Sequence, residues 1–230
     1  MRTFLLAATL AALAAPADSA TRNFGITGFT KIRVDGPFKV SLATGVAPFA
    51  RASGSGPALD RVEIDVRGDT LVVHSSASSW GGYPGADPAP VEVSLGTHDL
   101  TNALLNGAGS LVIDRVKGLT FALLVQGSGR AEIALAQADQ LTVSLVGTGS
   151  AKLSGQAKRL TTLVRGISTL DAAGLAAPTA TIAAEGAATI DANVTDSATI
   201  QASGPATIRL TGSPSCTLKA TGSTSVSGCR

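Results

Sequence analysis

A glycine recurs along the second half of the chain at a nearly constant interval, and few folds can accommodate that. The positions are Gly107, Gly127, Gly147, Gly166, Gly186 and Gly204, separated by 20, 20, 19, 20 and 18 residues. The first three open Gly-Ala-Gly-Ser, Gly-Ser-Gly-Arg and Gly-Thr-Gly-Ser; the later three read Gly-Ile-Ser, Gly-Ala-Ala and Gly-Pro-Ala. A fixed period of about twenty residues is the mark of a stacked repeat.

The residues around each glycine alternate. Four and two places before it stand Leu123 and Val125, Val143 and Leu145, Thr162 and Val164, Ile182 and Ala184, Ile200 and Ala202, apolar in nine cases of ten. Four and six places after it stand Leu111 and Ile113, Ala131 and Ile133, Ala151 and Leu153, Leu170 and Ala172, Ile190 and Ala192, Ile208 and Leu210. Between these lie Val112, Glu132, Lys152, Asp171, Asp191 and Arg209, polar in all but the first. Period-two alternation puts one set inward and one outward. Two short strands cannot bury an apolar face alone, but stacked in register at about 4.8 Å they form a continuous core. The expected fold is all-β, a parallel β-helix or β-solenoid with coils of about 20 residues and two short strands each. A sandwich of antiparallel strands has similar turns but does not generate one in/out register at a constant interval.

Composition agrees. Among 230 residues there are 26 Gly but only 6 Phe, 1 Trp and 1 Tyr, so the interior must be Ala, Val, Leu and Ile. The hydrophobic fraction of 44% argues against disorder, and a net charge of +2 supplies no basic field for nucleic acid. The inward residues shrink to Ala172, Ala184, Ala192 and Ala202 toward the C-terminus, which predicts thinner coils there.

Residues 21–230 read as one domain. Within it, 21–100 form N-terminal coils with turns at Asp35-Gly36-Pro37 and Arg67-Gly68-Asp69, and 101–230 form the regular repeats. Phe24, Phe29, Phe38 and Phe49 give the N-terminal end bulkier packing. The segment 75–90 is a long Ser-, Gly- and Pro-rich loop that holds Trp80 and Tyr83. Long loops on rigid scaffolds often carry function, so these two rings are candidate binding residues for sugars or a partner surface. Packing of Trp80 over the solenoid flank is the structural alternative.

Residues 1–20 read as a secretory signal: Arg2, a largely apolar stretch over 4–15, and an Ala15-Pro16-Ala17 cleavage site, with cleavage after Ala20 as the neighbouring possibility. No later stretch is apolar enough to suggest a membrane helix. In an exported chain Cys216 and Cys229 are expected to pair as a disulfide. No metal site and no cofactor are expected, since there are only two His, His74 and His98, read as a strand end and a loop residue.

The segments Gly28-Phe29-Thr30-Lys31-Ile32-Arg33-Val34, Gly36-Pro37-Phe38-Lys39-Val40 and Gly68-Asp69-Thr70-Leu71-Val72-Val73, followed by recurrent Gly-Ser-Gly-type turns, resemble an exported bacterial family. It is the putative auto-transporter adhesin head, or GIN, domain. The resemblance covers about residues 28–229 and implies a right-handed β-helix-like fold and an envelope or surface location. It brings no catalytic residues.

The function expected is therefore a non-enzymatic exported module, adhesin-like or scaffolding, located in the periplasm or at the cell surface and contacting a glycan or an envelope protein. One alternative is a polysaccharide lyase or hydrolase built on Asp171 and Asp191, whose carboxylates would stand on adjacent coils. Another is a periplasmic lipid-contacting protein. Neither a P-loop nor a Gly-x-Ser-x-Gly elbow is present; Gly147-Thr148-Gly149-Ser150-Ala151-Lys152 lacks the required ending.

Overall fold

The computed structural model describes residues 20–76 and 91–230. Its strands in chain order are β1 (Ala20–Phe24), β2 (Lys31–Asp35), β3 (Lys39–Thr44), β4 (Phe49–Gly54), β5 (Val62–Arg67), β6 (Thr70–Ser75), β7 (Glu92–Thr97), β8 (Asn102–Gly107) and β9 (Ser110–Gly127). They continue as β10 (Arg130–Gly147), β11 (Ser150–Gly166), β12 (Thr169–Glu185), β13 (Thr189–Ser203), β14 (Thr207–Thr211), β15 (Ser215–Thr221) and β16 (Ser225–Ser227). A single helical turn, α1 (Gly56–Leu59), interrupts them. The result is a β-solenoid of about six turns of roughly 20-residue coils, as the repeat requires.

Each long strand bends around one coil and pairs in parallel with the coils on either side. Gly107 lies opposite Gly127, Gly127 opposite Gly147, and Gly147 opposite Gly166. The inward residues stack in columns: Leu111 on Ala131 on Ala151 on Leu170 on Ile190 on Ile208, all buried. Residue size on the two sides of the corner varies from coil to coil. Leu145 is followed by Ala151 in one coil, whereas Ala184 is followed by Ile190 two coils later. Ala184 and Ala202 are thus followed across the corner by Ile190 and Ile208, and all four are buried.

Between the two runs the chain makes a short third one. It pairs 115–118 with 135–138 and continues through 155–157, 175–177 and 193–194, burying Val116, Ala136, Ala157, Leu175 and Val194. The register slips beside this run, between Ile133 and Ala136, Lys152 and Ser154, and Ala172 and Ala176. Those slips absorb the coil lengths that depart from twenty residues.

The N-terminal third joins the same sheet but not in chain order. β2 lies between β6 and β8, and β3 lies between β7 and β9, all in parallel. Gly36, at φ +125°, makes the corner between β2 and β3. Gly68, which in sequence looks like the same punctuation, is different. It opens a two-residue hairpin, with φ +65°, so β5 runs antiparallel to β6. β4 is likewise antiparallel to β7, and β1 to β4, so this end of the sheet is finished by antiparallel strands. Phe29 and Phe38 are buried there, while Phe49 lies half-exposed over Gly96, its cross-strand partner.

At the other end Cys216 on β15 is bonded to Cys229 just beyond β16, with Cα atoms 5.7 Å apart. Arg230 N–H also donates to Pro214 O at 2.9 Å. Together they close the final coil on itself.

Candidate functional site

The third run creates a concavity on the outside of the solenoid. Ala138, Ala157 and Ala177 are buried in successive coils, and methyl groups there leave a trough of about 490 Å³ that is open to solvent. Its rim carries Gln137, Gln156, Lys158, Pro178 and Thr195. Gln137 and Gln156 are register partners on adjacent coils, and both are exposed. Lys158 Nζ lies 2.8 Å from Asp139 Oδ1, and the pair is solvent-exposed. The trough thus offers amide and hydroxyl groups over an apolar floor and carries no net charge. A volume of this size is in the range of ligand clefts.

A second feature is the run before each corner. There Thr142, Thr161, Thr181, Thr199 and Thr217 are successive register partners facing outward. One side of this face is laced by Arg165, whose Nε lies 2.7 Å from Glu185 Oε2 on the next coil. The guanidinium holds the Glu185 carboxyl below its ordinary value, chiefly by that hydrogen bond, and Arg165 is itself pushed up by the carboxylate.

The carboxylates suggested for catalysis are where the repeat placed them: Asp171 and Asp191 are register partners on β12 and β13. Their oxygens are engaged separately. Asp191 Oδ1 accepts from Arg209 Nη1 at 3.2 Å on the coil beyond, and Asp171 Oδ1 accepts from the Ala173 N–H at 3.3 Å. Trp80 and Tyr83 lie outside the described residues; the strands flanking that segment are β6 and β7, which occupy one level of the solenoid.

One constellation has no precedent in the sequence reading. Glu63, Asp65 and His74 place their carboxylate and imidazole atoms within 4.8 Å of one another on the outer face of the β5–β6 hairpin. His74 does stand near the end of β6, and His98 does lie in the loop after β7. The grouping needed only one further observation: Glu63 and His74 are symmetric about Gly68-Asp69, so a hairpin there makes them neighbours.

Residues 28–214 match the model of the family described as the putative auto-transporter adhesin, head GIN domain. The chain belongs to this family. Solved structures with the same fold include a putative adhesin from Bacteroides fragilis NCTC 9343, at TM-score 0.81 and 18% identity over 92% of this chain and 97% of that one. Another, from Parabacteroides distasonis ATCC 8503 and described as a putative lipid binding protein, has TM-score 0.70 and 19% identity over 91% of this chain and 96% of that one. A putative adhesin from Parabacteroides merdae ATCC 43184 has TM-score 0.65 and 18% identity over 90% and 95%. At such identities the likeness establishes the solenoid of the GIN domain and nothing about its ligand. No curated protein matches the chain. No helix among the described residues is long and apolar enough to cross a membrane.

Proposed function

We propose that this GIN domain is a non-enzymatic, exported, adhesin-like binding module of the cell envelope, and that a neutral glycan lies in the trough of the third run. The observation that carries this is the lining. The Gln137 and Gln156 amides, on adjacent coils, can bond ring hydroxyls, while Ala138, Ala157 and Pro178 meet the apolar edges of a sugar. The trough's two charges, Asp139 and Lys158, neutralise each other, which favours an uncharged ligand over an acidic one. Trp80 and Tyr83 are proposed as stacking partners from the sequence alone.

Acid/base hydrolysis by Asp171 and Asp191 is disfavoured because their oxygens are engaged separately, Asp191 by Arg209 Nη1 and Asp171 by the Ala173 N–H. Export rests on the signal-like residues 1–20, and the Cys216–Cys229 bond accords with an oxidising compartment.

A second reading, contact with lipid, draws on the alanine floor of the trough and on Pro178 at its rim. Binding of the exported chain to immobilised neutral and acidic oligosaccharides, and to phosphatidylethanolamine/phosphatidylglycerol vesicles, separates the two. Glycan binding that weakens at least tenfold in Q137A/Q156A supports the first. Vesicle binding without glycan binding supports the second, and glycan binding indifferent to Q137A/Q156A removes the trough from the proposal.

A further inference from the structure

We propose that Glu63, Asp65 and His74 form a binding site for one divalent transition-metal ion of the Zn²⁺ type on the β5–β6 hairpin. The three side chains project from one face of the hairpin because Glu63 is the cross-strand partner of His74 and Asp65 lies two residues further along the same strand.

The orientation of the imidazole is fixed by the backbone. His74 Nδ1 lies 3.0 Å from the Ser75 carbonyl oxygen. A carbonyl can only accept, so Nδ1 carries the proton and, in the neutral ring, Nε2 presents its lone pair. That lone pair faces carboxylates: Asp65 Oδ2 at 3.5 Å and Glu63 Oε2 at 3.7 Å. The imidazole lone pair and the two carboxylates, gathered on one face, present three donor atoms that a single cation can share.

The spacings suit the metal. A tetrahedral ion with bonds of ~2.0–2.1 Å has ligand–ligand edges of about 3.3 Å; the two edges to Nε2 are 3.5 and 3.7 Å and all three atoms lie within 4.8 Å, so the carboxylates must draw together by rotation to share one ion. The supporting bonds are those found around metal-ligating groups: a histidine donating its other N–H to a backbone carbonyl, and a ligating carboxylate held from behind. Here Glu63 Oε1 accepts from Ser76 Oγ at 2.7 Å, leaving Oε2 turned to the imidazole. An imidazole with two carboxylates selects a first-row transition ion over Ca²⁺ or Mg²⁺, which prefer all-oxygen sets.

The neighbouring charges leave room for the ion. Asp35, the partner of His74 on β2, is occupied by Arg33 Nε at 2.7 Å and Asn106 Nδ2 at 3.3 Å. Arg67 Nη2 is 3.8 Å from Asp65 Oδ2 and exposed, so it can swing aside. All three ligands are open to water, which would complete the coordination.

Calorimetric titration of ZnCl₂ into the exported chain, with Cys216–Cys229 oxidised so that no thiolate competes, tests the site. The expected result is one ion per chain, with affinity lowered at least tenfold in H74A and in E63Q/D65N, and unchanged in H98A. Each variant is first checked by circular dichroism; the three positions are solvent-accessible, and E63Q/D65N preserves side-chain shape. Zn²⁺ should also raise Tm for the wild type and not for H74A. No saturable Zn²⁺ binding by the wild type, affinity unchanged in both H74A and E63Q/D65N, or Ca²⁺ binding as tight as Zn²⁺ would overturn the proposal.

Discussion

A Cβ on Gly147 would lie 2.6 Å from the carbonyl oxygen of Gly127. The same relationship repeats one coil earlier, where a Cβ on Gly127 would lie 2.7 Å from Gly107 O. The corner therefore uses glycine for two reasons at once, the positive φ of +117° at Gly147 and the approach of the coil beneath. Gly147→Ala should lose about 2–4 kcal/mol in urea unfolding, from left-handed strain plus displacement of a backbone that cannot move alone. Gly45→Ala provides the contrast, because Gly45 has φ +73° with open space around it and should lose only about 1 kcal/mol. Equal losses at the two sites would mean that coil contact contributes nothing.

Thr162 occupies the inward column between Val143 and Ile182, and its Oγ1 has no hydrogen-bond partner among the described residues. Burying an unpaired hydroxyl costs on the order of 1–3 kcal/mol. Thr162→Val keeps the shape and removes that cost, so it should stabilise the protein by about 1 kcal/mol. A loss of stability in this variant would place an unseen partner at the hydroxyl.

The terminal disulfide bridges 13 residues and ties β16 to β15, the last strand of its run. Cys216→Ser/Cys229→Ser should lower stability by roughly 2–4 kcal/mol if unfolding stays cooperative. Hydrogen exchange checks where the loss falls. Faster exchange is expected over 207–230 first, since the preceding coils are paired on both sides, and uniform acceleration along the chain would contradict a local staple.

Arg165 and Glu185 link adjacent coils in the open, so their contribution is small and screened by salt. Its sign with pH is definite. Glu185 has a lowered pKa in the folded chain, so its contribution is complete above the ordinary glutamate pKa and disappears as pH falls through the lowered value. The stability difference between wild type and E185Q should therefore shrink down the acid limb in urea titrations, and a difference that is constant with pH would assign it to something other than the carboxylate.

Much of the solenoid was legible because the glycine spacing and the alternation around it are local patterns. The inward residues flanking each corner are those the alternation selects, whereas Val116, Ala136, Ala157, Leu175 and Val194 on the third run are not. The hairpin at Gly68 was not legible as such, since a glycine between two alternating strands has the same appearance whether the next strand returns antiparallel or climbs to a new coil. That ambiguity also hid Glu63, Asp65 and His74. The trough escaped for a different reason: Gln137, Gln156 and Ala176 align only after register slips that a constant period cannot express. The pairing of Cys216 with Cys229 needed no geometry, only the expectation of export and a sequence with two cysteines.

Lysine labelling with mass-spectrometric readout tests most directly whether the trough is the binding surface. Lys158 stands at its rim, whereas Lys31 pairs with Asp69 at the N-terminal end and Lys219 lies on β15 of another run. With a neutral oligosaccharide bound at saturation, Lys158 should lose most of its reactivity while Lys31 and Lys219 keep theirs. Binding that leaves Lys158 as reactive as in the free chain would contradict the proposed site.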